Sequence, residues 1–541
     1  MIIRLVIITI IFLLQTERLH GQTTAAKPES GDRLKIGYVY SIAPKISPLL
    51  RRTDYEQEIN KLIFGDGLFT WSEEGYITHG LAQSSKFESP KAWRINLRSD
   101  ITFHDGSAIT AEDVKFSYEL YIKFAYQASH LFSVRLINAI EILGPLSLRI
   151  ILKEPITNFR ETIGLLPILP KKNYGSWLDY NLLTSLPEPK PVGNGNFLFR
   201  SRLNGSEIQL DRFQDHFDPA YLNGVDFVFF ETYEQLVDAF LKEKIDIIEV
   251  QGKSIRQKIL QVAPTIEKVI IQRDDLRLYY IDLNNTRPPF NDPNIRQAIN
   301  YAVNKNVMVE KYLENKSYIA SNVLSERSDY FFEAANNFTY DPLRCMRMLS
   351  GTGYKRGSDG KLVNNGRELK FDFYFQDGSV FQETLARLIS INLVELGINI
   401  VPKPLLASEI ESHLDDGRYQ AVLRSFVYNP DPGDQALRNF YLQELNRGNG
   451  FNNFRNPSID QLIKFSEKVM NQEQMRTIIY RIQHLINQYS PCIFLFYDEQ
   501  IYYAVQHRFK NIRNMYNAGG EYIVKLYPKN KWYVPKEQQI Y

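Results

Sequence analysis

Residues 370 to 425 change hydrophobic period twice, and that alternation constrains the fold more than any other stretch. "FDFYF" (371–375) is an aromatic run rich in strand-forming residues. Leu385, Leu388, Ile389, Leu393 and Leu396 then recur at helical spacing, and Gly397 stops the helix. "INIV" (398–401) follows as a second strand. Strand, helix and strand in that order make a βαβ unit, whose two strands are expected to pair in parallel. A short helix ending near Gly417 and a strand at 419–426 continue the pattern.

The same reading places elements elsewhere. "LKIGYVY" (34–40) alternates like a strand, and so does "AWRINLR" (92–98), with Trp93, Ile95 and Leu97 on one face. In "LYYIDLNNTRPPFNDPNIRQAINYAVNK" (278–305) a strand ends in a proline-rich turn. Asp292 is then an N-cap and Pro293 occupies the first helical position, where a missing N–H is harmless. Ile295, Ala298, Ile299, Ala302 and Val303 form one apolar face. Met475, Ile478, Ile479, Ile482, Leu485 and Ile486 mark a helix over 472–489, stopped by Pro491, and "CIFLFY" (492–497) returns as a strand.

A length of 541 residues suits about three or four domain-sized units. With 64 basic against 62 acidic residues the net charge is +2, which argues against a general grip on nucleic acid. Aromatics make up 13%, a supply that serves cores and also suits a lined ligand cavity. The opening "MIIRLVIITIIFLLQTERLHGQ" has a basic Arg4 and an apolar run from Leu5 to Leu14. That run is shorter than the roughly 20 residues a bilayer requires, so residues 1–21 read as a signal peptide and 22–33 as a polar linker. "LHGQ" is like a lipobox with Gln22 in place of the acylated cysteine, so a soluble exported protein is expected. Cys345 and Cys492 lack metal-site spacing, and whether they pair is left open by the sequence.

The one arrangement suggestive of acid–base chemistry is His104–Asp105 in "ITFHDGSAITAEDVKFSYEL" (101–120). Asp105-Gly106 is also a turn signal, and Thr110 with Asp113 is a variant capping box opening a helix. No nucleophile and no third residue to orient His104 is visible, so the structural reading is preferred. No HExxH, GxSxG or P-loop pattern occurs, and the eight histidines are scattered.

Four segments, in order, resemble the ABC-importer solute-binding proteins of the peptide/nickel-binding family, the oligopeptide- and dipeptide-binding type. "HGLAQSSKFESPKAWRINLRSDITFHDGSAITAEDVKFSYE" is similar to the signature segment of that family. "PVGNGNFLF" (191–199), "RPPFNDPNIRQAINYAVNK" (287–305) and "DPLRCMRMLSGTGY" (341–354) resemble its later motifs. The resemblance implies an α/β fold of two lobes with the ligand cleft between them (periplasmic-binding-protein-like, type II, cluster C) and an extra inserted domain. It implies lobe I from 34–70, 191–281 and 498–541, a middle domain at 71–190, and lobe II at 282–497. It further implies a monomeric periplasmic receptor, with no cofactor and no catalysis, that delivers a small peptide-like solute to an ABC permease in the membrane.

One departure bears on the ligand. Peptide-binding members carry a segment whose aspartate pairs with the peptide ammonium; here it reads "RSFVYNPDP" (424–432). Anchored on Asp431-Pro432, the ammonium-binding position is Tyr428, the usual tryptophan is Ser425 and the usual glycine is Arg424. A buried ammonium without a carboxylate costs several kcal/mol, so recognition of a free N-terminus is in doubt. Arg424 is a candidate for an anion or, equally, for a salt bridge; Asp431 is a candidate for the ammonium or a plain turn residue. Main-chain pairing from Arg424, Ser425 and Phe426 survives the substitutions, since it needs only backbone groups. Tyr280 and Tyr428 are the aromatic candidates for the cleft, with core packing as their other reading. Open alternatives are an oligosaccharide, a metal chelate or an anionic metabolite as ligand, and a sensor module or hydrolase on the same scaffold.

Overall fold

The computed structural model describes residues 30–540 outside 40–43, 50–53, 66, 73–76, 126–128, 157–158, 204, 251–256, 260, 262–266, 313–316, 327, 329, 333–337, 429–453, 467–468, 470–471, 507, 512–514, 517–521 and 525–530. The proposed signal peptide and most of the linker therefore lie outside the described residues.

The chain enters through strand Arg33–Val39 (β1), whose Leu34 and Ile36 are buried, and helix Asp54–Phe64 (α1). A four-stranded antiparallel sheet follows, made of Ala82–Ser89 (β2), Ala92–Leu97 (β3), Ile137–Gly144 (β4) and Ser147–Leu152 (β5), in the order β2-β3-β5-β4. Its inner face, with Ile95, Leu97, Leu148 and Ile150, packs with Val114, Tyr118 and Tyr121 of helix Ala111–Phe124 (α2). Its outer face carries charges that interlock across strands, with Glu88 between Arg94 at 2.5 Å and Arg149 at 2.7 Å. The helix start is as expected: the Thr110 N–H and hydroxyl both donate to the Asp113 carboxylate, at 3.0 and 2.7 Å.

His104 is a structural clamp. The Gly193 N–H donates to Nδ1 at 3.3 Å, so Nε2 carries the proton and donates to the Gly195 carbonyl at 2.9 Å. Asp105 turns away from it and accepts the Ser107 N–H at 3.1 Å. Two segments quoted above, "FHDG" and "PVGNG", are thus joined through one imidazole. Gly195 lies so close to the end of α1 that a Cβ there would sit 2.1 Å from the Leu62 carbonyl oxygen.

Strands Phe197–Leu203 (β6), Glu207–Arg212 (β7) and Gly224–Phe230 (β8) lead to helix Tyr233–Leu241 (α3) and strand Ile247–Val250 (β9). A strand of 17 residues, Glu267–Leu283 (β10), then leaves this lobe for the second. There the chain adds helices Pro293–Ala302 (α4) and Pro342–Gly351 (α5), strand Lys370–Gln376 (β11), helix Val380–Glu395 (α6) and strand Asn399–Leu405 (β12). Helix Ala407–Asp415 (α7), strand Ala421–Tyr428 (β13), and helices Pro457–Ser466 (α8) and Gln472–Tyr489 (α9) complete the lobe. Strand Cys492–Val505 (β14) crosses back.

All of this hangs on one sheet, ordered β12-β11-β13-β10-β14-β9-β1-β8-β7-β6, with the short strand Ser317–Ile319 also paired to β14. As the βαβ pattern requires, β11 and β12 pair in parallel from Lys370↔Asn399 to Gln376↔Leu405. In the second lobe both faces of the sheet are covered. Tyr279, Ile281 and Leu283 of β10 pack with α4, α5 and α6, while Leu278 and Tyr280 pack with α8 and α9. Strands β10 and β14 both outrun the apolar segments that announce them (278–283 and 492–497). Charged and polar residues at 272–275 and 498–500 break the apolar run where each strand leaves the second lobe's core, and pairing resumes through Val269, Ile270 and Ile271 opposite Tyr503, Tyr502 and Ile501.

Arg296 of the "IRQAINYA" segment is a buried cap. It donates to the carbonyls of Tyr489 at 2.7 Å and Ser490 at 3.0 Å, closing the C-terminus of α9 where bare carbonyls attract a cation. Cys345 and Cys492 are free and buried on opposite faces of the sheet, and burial pushes the Cys345 thiol up to about 12. Among the described residues no helix is long and apolar enough to cross a membrane.

Burial, partly offset by the Gly195 carbonyl, lowers His104 from 6.5 to about 4. The unfolded chain therefore binds a proton that the folded chain refuses between those values, and stability is lost as pH falls through that window. Urea unfolding should show wild type losing up to roughly 3 kcal/mol more than His104→Gln on acidification through it. A difference between the two proteins that stays constant with pH would remove His104 from this role.

Candidate functional site

Strand direction locates the site. In the first lobe β1, β8 and β9 run in parallel and end at Val39, Phe230 and Val250. In the second, β11, β12 and β13 run in parallel and end at Gln376, Leu405 and Tyr428. The registers with β10 and β14 aim both sets at one place: Val250 lies opposite Tyr502, Tyr428 opposite Leu276, and between them β10 has a register shift from Gln272 to Arg277. Carboxyl ends of parallel strands converging on a crevice are where α/β sheets bind ligands.

An ion pair forms the floor. Arg277, just past the register shift, donates to the Glu249 carboxylate of β9 at 2.8 Å, and its other nitrogen lies 3.5 Å from the Ser425 hydroxyl of β13. The two charged side chains are 9% and 21% exposed, so the pair is held out of bulk water but reachable from the cleft. Tyr233 at the start of α3 donates to the Glu249 carbonyl at 3.0 Å. Tyr279 lies on the same face of β10 as Arg277, edge-on to Phe381 of α6 at 5.4 Å between ring centres. Burial holds its phenol above the usual range.

The residues expected from sequence fall in different places. Ser425 is at the floor. Tyr280, next to Tyr279 but on the opposite face, is fully buried among Phe494, Tyr497 and the apolar residues of α9. Arg424 lies 3.6 Å from both Asp282 and Glu411, while Tyr419 donates to the other Asp282 oxygen at 3.2 Å. Burial works against the Arg424 charge, yet the facing Tyr280, Glu411 and Asp282 outweigh it and hold the guanidinium above its ordinary range. This salt bridge lies inside the second lobe, where Asp282 is fully buried. Phe426 and Tyr428 are paired through their backbones with Leu278 and Leu276. Asp431 lies outside the described residues.

The outer edge of β13 matters as much as any side chain. β11 pairs with it at Ala421 and Val422, and among the described strands none pairs with that edge from Leu423 to Tyr428. Among the described strands, then, that edge of β13 at the mouth of the crevice has no neighbour beyond Val422. Sequence reasoning missed Arg277, Glu249 and Tyr279. Period-2 alternation along β10 was the available signal for the tyrosine, since it puts 279, not 280, on the Arg277 face.

Comparison with known proteins bears on the whole arrangement. The model for the bacterial extracellular solute-binding proteins, family 5 (middle), matches residues 77–446. The oligopeptide-binding protein AppA of Bacillus subtilis is 22% identical over 495 residues, covering 88% of each chain. The solved structure of AppA with a nonapeptide aligns at a TM-score of 0.79 and 20% identity, over 94% of this chain and 100% of that one. NikZ of Campylobacter jejuni, solved with Ni(L-His), aligns at 0.76 and 22% identity, over 91% of this chain and 97% of that one. The architecture is thus the two-lobed binding-protein fold that the sequence motifs imply.

Replacing Arg424 strands a buried carboxylate. Arg424→Leu is expected to destabilise the protein by about 3–5 kcal/mol in urea unfolding, and adding Asp282→Asn to recover most of it. A loss below about 1 kcal/mol would mean that Asp282 does not depend on this cation.

Proposed function

The chain belongs to the bacterial extracellular solute-binding proteins of family 5, and from that premise we propose that it captures a peptide-like solute between its lobes for delivery to an ABC permease. The observation that carries the reading is the edge of β13 at the crevice, from Leu423 to Tyr428, with which no described strand pairs. An extended peptide adds to such an edge as one more strand, with main-chain hydrogen bonds for affinity and little demand on side chains. AppA, named for oligopeptide binding, supports this choice.

Ser425 and the backbones of Arg424, Phe426 and Tyr428 make the strand contact in this reading, Asp431 is secondary, and Tyr280, buried against α9, supports β10 from its other face. Arg424 acts through Asp282, keeping the strand in register. The lobes divide at 281/282 and 497/498 with 71–190 inserted, as set out above. The protein is an exported periplasmic monomer in this reading. It releases its ligand unchanged: His104 and Asp105 are committed to backbone and turn contacts, which supports a receptor over a hydrolase. A metal chelate is the second reading, favoured by the Ni(L-His) in NikZ on the same fold.

Mass spectrometry of the small molecules released on denaturation is the first test, with peptides expected and sugars or chelates as the outcomes that sink the reading. A bound peptide at 100 times its Kd should raise unfolding stability by about 2.7 kcal/mol. Because Tyr428 replaces the ammonium-binding aspartate, N-acetylating that peptide should weaken binding by less than about tenfold. A loss beyond about a hundredfold would instead demand a buried carboxylate on the ammonium.

A further inference from the structure

The two lobes touch at a point remote from the crossing strands. Thr232 is the N-cap of α3 in the first lobe, and Gly378 lies in the turn between β11 and α6 in the second. A Cβ built on Gly378 would lie 2.6 Å from the Thr232 Cβ and 3.3 Å from its Oγ1 and Cγ2. Backbone of one lobe is therefore already in van der Waals contact with a side chain of the other.

Neither partner can yield. Thr232 is fixed by a capping box, its hydroxyl accepting the Gln235 N–H at 3.2 Å while the Gln235 side-chain oxygen accepts the Thr232 N–H at 3.4 Å. On the other side the Asp377 N–H donates to the Leu405 carbonyl at 2.8 Å, the Gly378 N–H to the Asp377 carboxylate at 2.9 Å, and Ser379 caps α6. The atom that a Cβ at 378 would strike is itself bonded to backbone, so rotation about a side-chain bond cannot relieve the clash. Only separating the lobes does.

We infer that Thr232 and Gly378 form a latch that sets how far the lobes close, with glycine required at 378 because any side chain there props the crevice open. The inference rests on the two-lobe receptor reading, and it assigns these residues a positioning role without ligand contact. Gly378 has φ of +71°, so a substitution also strains the turn. That strain is the same in open and closed protein and cancels from ligand affinity, whereas the clash exists only when the lobes meet.

The test has two arms. Gly378→Ala should keep its fold by circular dichroism yet bind a pool of synthetic tri- to hexapeptides about tenfold more weakly or worse, because the closed population falls. Gly378→Ala with Thr232→Gly removes the struck Cβ at the cost of only a weakened cap and should recover wild-type affinity. The second arm needs no ligand: Thr232→Cys with Gly378→Cys, oxidised by glutathione disulfide, should form an interlobe disulfide, because its Cβ–Cβ separation of about 3.8 Å is reached once the lobes part by about 1 Å from the present contact. The native thiols are buried and do not compete. Gly378→Ala binding as wild type does, no recovery in the double variant, or no disulfide each overturns the latch. If wild type binds none of the peptides, the peptide reading falls and the disulfide alone decides the latch.

Discussion

The antiparallel pairing of β10 with β14 is the interaction on which the rest of the molecule depends. It runs from Glu267↔Val505 in the first lobe to Asp282↔Cys492 in the second, so both lobes share one pair of strands. The second lobe's sheet extends from β10 through β13, apart from the short strand Ser317–Ile319 on β14, and the first lobe's sheet extends from β14 through β9. The exit of β14 is pinned by charge. Arg508 lies 2.8 Å from the Asp246 carboxylate and 3.5 Å from that of Asp32, while the Gln506 N–H donates to the Asp246 carbonyl at 2.8 Å. Burial raises Asp246 to about 6 against the opposing pull of Arg508, so the carboxylate charge depends on that partner. Of the two register shifts in the pairing, the one between Gln272 and Arg277 falls where the crevice opens, and the other, between Tyr279 and Tyr280, lies within the second lobe's core. Paired strands on either side of a local break describe a hinge between two stiff bodies.

Elements whose apolar residues repeat within one core were legible from sequence. The Asp292-Pro293 helix start, the helix from Gln472 to Tyr489 and the parallel β11–β12 pair all follow from local spacing, because each buries one face against one neighbour. The crossing strands were legible only in part, since charged residues (Arg273, Asp274 and Asp275 in one, Asp498 and Glu499 in the other) break each apolar pattern midway. The crevice was least legible. Glu249 meets Arg277 and Thr232 meets Gly378 across long stretches of sequence, and nothing local marks such partners. The family motifs located the scaffold better than the site: "FHDG" with "PVGNG" closes a turn, and the arginine of "IRQAINYA" caps a helix.

Three buried or half-buried arginines show how one side chain serves different ends. Arg296 has backbone carbonyls as its partners and fixes the junction of α9 with β14. Arg424 answers a fully buried aspartate and holds β13 against β10. Arg277 sits at the crevice, where β10 passes between the lobes, and its ion pair with Glu249 of β9 lies within reach of whatever enters there. The planar fork of guanidinium, with five donors, suits all three tasks where the single point charge of lysine would not.

The return of β14 has a consequence for the order in which the molecule is made. The first lobe opens the sequence, yet its core holds Phe509, Trp532 and Val534, and its strand β9 is flanked by residues 502–505. Lobe I is begun first and finished last. The second lobe, by contrast, needs nothing beyond Asp498 for its own sheet. Contacts this distant in sequence fold slowly, so the amino-terminal half waits, with sheet edges and apolar faces uncovered, until the carboxyl end arrives. A lobe that only its carboxyl-terminal residues can complete stays unlocked until the whole chain is available, so the last segment made is the one that commits the fold.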